Sequence, residues 1–530
     1  MADEYYDDEY YDDEMYDEEE EGDGGPHSDQ MDFIQRTPWW IISIIFHTAF
    51  LIMAAMWTIS QAEQKDNFSI FEMDAKKFKK PEYDPTLKRD IKRSNKNIKD
   101  EVIVENPIIT KEDLPIDEME TPDDMEREHK AKGRQEAMST IELQGEGWVG
   151  VFGVGGGGSG AYGWRDGGGK KRAIGRFGGG AATESAVLAA LRWFKRHQSA
   201  DGSWSFEDYD KNCRQNPPCE KVCQHTTSAG LEPEGAVNCA SAFALLCFLG
   251  AGHTQKAGQF RQQVANGLSF MQANQKASGE FSANNYAHSV ATMAVAEAYG
   301  MTKTPALQTM AQNAVNALLA TQKDYEGFNY TKNHGGRNDT SVTGWATMAL
   351  KSAKSAGIGV GNAFEGIANH MEHVTPEVKG DSYPTLAGHV KYTWYSGRQG
   401  KAGHANARLT AIGMLCRVFI GEDTNGRVLR AHGYKMLEDM PKPKKTDFYK
   451  MYYATLAMFQ MGGEFWKKWN ETMKKILLDS QRRGGCADGS WDPTNFTGWA
   501  NDRAGRVFFT AVGCLSLEVY YRYLPVAMLK

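Results

Sequence analysis

Residues 183–530 are predicted to form an all-α ring of about six to seven helical hairpins, an α/α-toroid. Three observations carry that prediction. A Gln…Gly…aromatic ending recurs along this stretch. Each copy precedes a helix rich in small residues, and those helices return every 43–66 residues.

The first ending closes a helix that begins near Ser185. Ala186, Ala189, Ala190 and Trp193 are spaced for one helix face, and Gln198 and Asp201-Gly202-Ser203-Trp204 follow. Weaker copies are Gln275…Gly279-Glu280-Phe281 and Gln322…Gly327-Phe328, and Gln481…Asp488-Gly489-Ser490-Trp491 is nearly intact. The small-residue helices are expected to start near Asn238, His288, Thr340, Asn406, Tyr449 and Arg506. A Gln at a helix end bonds free carbonyls of the last turn, and Gly makes the left-handed exit. The aromatic residue then packs onto the next hairpin. Small side chains let the second helices crowd together, which places them on the inside of a closed ring.

Gln-x-x-Asp-Gly-Ser-Trp followed by a small-residue helix resembles the QW-type repeats of terpenoid cyclases, over about 350 residues. Protein prenyltransferase β-subunits and complement-type thioester domains share that toroid. Residues 286–303 and 505–525 look especially like membrane-anchored, squalene-cyclase-like proteins of planctomycete-type bacteria. The resemblance implies an apolar, aromatic interior, and in the cyclases a proton-donating Asp within Asp-x-Asp-Asp. Residues 183–530 contain no such motif. The nearest approach is Asp208-Tyr209-Asp210-Lys211, and Cys486 is followed by Ala-Asp-Gly where a thioester needs Gly-Glu-Gln. No prenyltransferase-like Asp, Cys and His zinc set stands out. The expected function is therefore a non-catalytic toroid that binds a hydrophobic ligand, peptide or protein partner. The alternative is a divergent terpenoid cyclase or prenyltransferase acting on a polyprenoid.

Candidate cavity residues lie where the inner helices start. They are His288, Asp339, Thr340, Trp345, Trp394, His404, Tyr452 and Phe508. Asp339 and Thr340 also suit helix N-caps, and His288 also suits a hydrogen-bonded core position. A polar insertion after the first repeat carries Cys213, Cys219, Cys223 and His225, and Cys239 opens the next helix. Such a cluster can form disulfides, hold zinc, or remain free thiols. No cofactor is expected, and zinc at this cluster is the one alternative. Cys247, Cys416 and Cys514 sit in apolar stretches and read as core.

The region before the ring divides by composition. Residues 1–37 form an acidic tail whose first 23 positions hold 14 Asp/Glu and no Lys/Arg. The overall charge of −8 therefore leaves +6 for everything else. Residues 38–60 are read as a transmembrane helix. Its 21-residue core, Trp39–Ile59, lacks charge and carries Trp at both ends. Residues 61–144 read as a charged, extended linker. Residues 145–182 read as a Gly-rich linker, with 17 glycines between Gly145 and Gly180. Gly153–Gly158 matches G-x-G-x-x-G formally, without the flanking strand and helix that a dinucleotide site requires.

Ser43 and His47 lie one helical turn apart within the apolar segment. An imidazole there is costly unless it meets a polar partner or a proton path. The pair resembles the anchor of TonB-type energy transducers. That resemblance implies proton-channel motor subunits as partners, a cytoplasmic N-terminus and a periplasmic toroid on a bacterial inner membrane. The basic run Lys65, Lys76, Lys77, Lys79 and Lys80 points to the opposite orientation by charge count. No basic–aromatic pattern for nucleic acid stands out.

Overall fold

The computed structural model describes residues 47–48, 162–165, 167–220, 230–332, 335–378, 388–396, 403–493 and 505–523. The chain divides into two units, residues 1–100 and 101–530. In the first, only His47 and Thr48 are described, both helical and exposed. The acidic tail, the rest of the predicted membrane helix with Ser43, and the charged linker lie outside the described residues.

The described residues of the second unit form an α/α-toroid of six hairpins, at the lower end of the predicted number. Its outer helices are α2 (Ala181–Arg196), α4 (Arg261–Asn274), α6 (Pro305–Leu319), α8 (Ala363–Val374), α10 (Arg427–Glu438) and α12 (Gly463–Ser480). The inner helices are α3 (Pro233–Gly250), α5 (Asn285–Thr302), α7 (Thr340–Ala356), α9 (Ala407–Ile420), α11 (Phe448–Met461) and α13 (Gly505–Leu517). Each inner helix packs on the next, and α13 returns to α3, so the ring is closed. Two short strands, β1 (Arg337–Asp339) and β2 (Thr393–Tyr395), pair antiparallel with Asn338 opposite Trp394.

The inner helices start within five residues of the predicted positions. They are buried on nearly every side, which is why their sequences are apolar all round instead of striped. α3 is the one described helix long and apolar enough to cross a membrane, yet it is 83% buried within the ring. Small residues set the helix spacing. A Cβ on Gly344 of α7 would sit 2.5 Å from the Ile412 side chain of α9.

The Gln of each repeat ending does more than cap its own helix. Gln198 Nε2 donates to the Gly202 carbonyl at 2.9 Å and to Gln263 of α4 at 3.0 Å. Gln275 reaches Gly279 and Met310 of α6, and Gln322 reaches Glu326 and Ala363 of α8. Gln481 reaches Gly489 and Ala186 of α2. Each amide thus joins its exit turn to the next outer helix, and the last copy returns to the first. Gly202, Gly279 and Gly489 have φ of +91°, +89° and +87°, and a Cβ on each would strike a backbone carbonyl of that neighbouring helix. Only glycine meets both demands.

The ring begins earlier than residue 183. The second half of the predicted Gly-rich linker forms α1 (Gly167–Phe177), and Tyr162 and Arg165 before it are buried. This segment covers the mouth where the inner helices end. Arg165 pairs with Glu297 of α5 at 2.7 Å, and Arg522 of α14 (Val519–Arg522) meets the same carboxylate at 3.0 Å. Parallel inner helices direct their negative dipole ends at this mouth, where basic side chains are favoured. Arg165, Lys170 and Lys303 accordingly donate to Leu249, Ala251 and Ala356 carbonyls. Composition alone read this stretch as linker because its glycines hide the few anchoring residues.

Candidate metal centre

At the opposite mouth, the insertion after the first repeat meets the turn of the last. His197 caps the C-terminus of α2, Cys213 and Cys219 lie on the insertion, and Cys486 lies on the turn before Gly489. His197 Nε2 is 3.5 Å from Cys213 Sγ, 3.4 Å from Cys219 Sγ and 3.4 Å from Cys486 Sγ. All four ligand atoms lie within 4.8 Å of one another. A tetrahedral zinc with Zn–N of about 2.05 Å and Zn–S of about 2.3 Å has N···S edges of about 3.5 Å. The three observed N···S distances match those edges.

The imidazole is prepared for a metal. His197 Nδ1 sits 2.8 Å from the Trp193 carbonyl, which can only accept, so Nδ1 carries the proton and Nε2 turns its lone pair toward the sulfurs. Burial lowers the His197 pKa to about 4, so the ring is neutral at pH 7 as ligation requires. The ring also stacks on Trp193 at 4.3 Å, which fixes its plane. Burial raises Cys213 and pushes Cys219 up to about 12. Cys486 is lowered: burial works against its thiolate, but the Gln215 backbone and the Cys213 side chain outweigh it. Three thiolates and one dication leave a net −1, and fully buried Arg506 lies close enough to act on His197.

One backbone contact joins the two halves, and a second braces the insertion itself. The Cys486 N–H donates to the Pro217 carbonyl at 2.9 Å, and the Cys219 N–H donates to Cys213 Sγ at 3.3 Å. Arg196 Nη2 crosses the same boundary to the Asp488 carbonyl at 2.7 Å.

Of the cysteines and histidine predicted as a cluster, the structure joins Cys213 and Cys219. Cys223 and His225 lie outside the described residues. Cys239 is buried in α3 and belongs to no metal-competent group among the described residues. All seven described cysteines are free thiols. His197 and Cys486 were missed because they are 289 positions apart. A signal did exist: the most intact repeat endings are the first and the last, and ring closure makes them neighbours.

The predicted cavity residues separate into two groups. Trp345, Tyr452 and Phe508 meet where the inner helices converge. Trp345 stacks on Tyr452 at 5.8 Å and donates to the Tyr449 hydroxyl at 2.9 Å, and Phe508 packs edge-on to Phe243 at 5.4 Å. The others serve the mouth and the repeats. His288 accepts from the Phe281 N–H at 3.2 Å and donates to the Ala314 carbonyl at 3.0 Å. Ser241, Thr343 and Thr510 hold the corresponding aromatic backbones elsewhere, so His288 is the ring's local version of that hydroxyl. Asp339 caps α7 and pairs with Arg337 at 2.8 Å, while Thr340 donates to the Lys391 carbonyl at 2.7 Å. Trp394 packs on His373 at 4.1 Å, and exposed His404 stacks on Tyr392 at 5.0 Å.

No family model matches the chain, and no curated protein matches it. Solved structures do. A glycoside hydrolase family 76 α-1,6-mannanase from a Salegentibacter species is 9% identical, with a TM-score of 0.41, covering 66% of this chain and 100% of that one. An α-amylase from Clostridium perfringens is 12% identical, with a TM-score of 0.42 and coverages of 64% and 98%. A family 76 mannosidase from Bacteroides thetaiotaomicron is 11% identical, with a TM-score of 0.41 and the same coverages. The expected non-catalytic binder coupled to a motor, and its polyprenoid-enzyme alternative, are corrected here. The matched proteins are named as glycoside hydrolases. Of the aromatic residues expected to line a ligand pocket, Trp345 and Tyr452 stack on each other, Phe508 packs on Phe243, and Trp394 packs on His373.

Proposed function

We propose that this chain is a zinc-binding toroid in which His197, Cys213, Cys219 and Cys486 hold a structural ion across the seam between the first and last hairpins. The observation that carries this reading is the convergence of one imidazole nitrogen on three sulfurs at 3.4–3.5 Å. Four protein ligands leave no coordination position for substrate, so the ion's role is to hold structure. When bound, zinc supplies four bonds between segments that lie at opposite ends of the ring's sequence. His197 presents its lone pair, and the Trp193 carbonyl fixes the tautomer. Binding releases the protons that Cys213 and Cys219 otherwise keep.

The repeats fit a squalene-cyclase-type toroid, since the Gln amides link successive hairpins. Residues 38–60, with Ser43 and His47 on one face, are read as a TonB-like membrane anchor holding the ring on the periplasmic side. Alkaline extraction of membranes and reporter fusions at each end test that placement.

Metal content tests the main reading. Full-length protein purified without chelator is expected to carry one zinc per chain by elemental mass spectrometry. A Cys219→Ser/Cys486→Ser double variant is expected to carry almost none. Zinc-free wild-type protein that also fails to take up added zinc overturns the reading.

A further inference from the structure

The four ligands are unequal in two ways. His197, Cys219 and Cys486 are buried, whereas Cys213 is half-buried and is the sulfur an oxidant reaches. Cys213 and Cys219 ride one loop with a backbone-to-sulfur bond of 3.3 Å between them, while Cys486 arrives from the far end of the ring. Every pair of ligand atoms lies within 4.8 Å, and an S–S bond is about 2.05 Å, so pairing two sulfurs needs a local contraction only. The loop 213–219 can contract by itself. Drawing Cys486 toward Cys213 instead moves the last repeat's turn, which Gln481 and the bond from the Gly489 N–H to the Arg482 carbonyl hold in place.

We propose that the cluster has a second, oxidised state in which Cys213 and Cys219 form a disulfide, zinc departs, and the Cys486 sulfur loses its tie to the insertion. This rests on the zinc reading above. Hydrogen peroxide is the oxidant required. The Cys213 thiolate attacks the O–O bond, forming an S–O bond and expelling hydroxide. The Cys219 thiolate then attacks that sulfur, forming the S–S bond and expelling the second hydroxide. Two sulfur electrons reduce the peroxide to two waters with two protons from solvent, and zinc leaves as the dication. The zinc and disulfide readings of the cysteine cluster thus become two states of one site, selected by the compartment's redox poise.

The seam's remaining bonds, from the Cys486 N–H to Pro217, from Gln481 to Ala186 and from Arg196 to Asp488, are not touched by oxidation. The ring therefore stays closed while the two turns loosen locally. Zinc-loaded full-length protein titrated with hydrogen peroxide tests this, read by a metallochromic indicator, non-reducing peptide mass spectrometry and hydrogen exchange. One equivalent of zinc is expected to leave as the Cys213–Cys219 link appears. Exchange is expected to rise in residues 196–219 and 481–491 and to stay unchanged in α5 and α7. Thiol reductant with zinc restores the start, and Cys213→Ala protein forms no disulfide within the cluster. A chain that never loads zinc sinks the metal reading itself. A chain that loads zinc and keeps it through oxidation, or forms its disulfide through Cys486, overturns this inference alone.

Discussion

The two mouths of the ring solve the same problem with different chemistry. At each, segments from the two ends of the toroid's sequence must be joined. The mouth at the inner helices' C-termini uses a buried ion cluster, with Glu297 between Arg165 and Arg522. Glu518 lies 3.4 Å from Arg522, and the Ser352 and Tyr523 hydroxyls donate to Glu297. Burial opposes the Glu297 carboxylate, but the two guanidinium groups outweigh it and hold its pKa down. The other mouth uses three thiols and an imidazole. The ion cluster is complete within the chain, so it is permanent under ordinary conditions. The thiol cluster depends on a metal and on redox state, so it answers to its surroundings.

The largest break in this comparison is expected at Glu297. Glu297→Gln strands two buried guanidinium groups, and breaking a buried pair typically costs about 3–5 kcal/mol. A denaturant midpoint unchanged from wild type would remove the cluster's structural role. Next comes loss of zinc. Chelation or Cys486→Ser is expected to loosen the seam turns in hydrogen exchange and lower the melting temperature, leaving the Glu297 mouth protected. Equal loosening at both mouths would show that the two ties are coupled.

A finer contrast compares Gln481 with Gln275. Each makes two bonds to backbone carbonyls, worth about 1 kcal/mol apiece. Gln275→Ala is expected to cost the same with or without zinc, whereas Gln481→Ala should cost more once zinc is removed. Equal costs would place the seam's strength outside the metal.

The smallest effect is in pH. Burial lowers His197, His288 and His432 to about 4 and His370 to about 3. Between those values and 6.5 the unfolded chain binds more protons, so stability falls as pH drops through that window. Glu518 is opposite in sign, because burial raises its pKa to about 8 against the opposing charge of Arg522. It keeps a proton that the unfolded chain releases above about 4.5, so its contribution is lost as pH rises toward 8. Chelator-treated protein is thus expected to lose stability below pH 6.5. Above about 7 Lys351, lowered by burial to about 7, works against the Glu518 decline, and Glu518→Gln is expected to remove that decline. A decline that persists in Glu518→Gln would assign it to another group.

Much of the ring was readable from local chemistry. Gln198, Gly202 and Trp204, repeated at Gln481, Gly489 and Trp491, announce a hairpin that must dock on a neighbour. Asp339 was correctly weighed as an N-cap. The pairing of His197 with Cys486 shows in neither neighbourhood alone; it needs the ring closure that makes the first and last repeat endings neighbours. Arg165 was hidden for a similar reason: among glycines, one arginine shows no partner until α5 and α14 supply Glu297 and the Arg522 carbonyl.

By itself the sequence determined the hairpin as a unit, through helix periodicity, small inner-helix residues and glycines that permit a left-handed exit. Those are short-range constraints, satisfied within some twenty residues of chain. Only the tertiary structure decided that six units close, and closure brings remote residues within bonding distance. The metal centre exists for that reason alone. His197, Cys213 and Cys219 are near one another along the chain, and Cys486, 289 positions from His197, joins them because a ring has no ends.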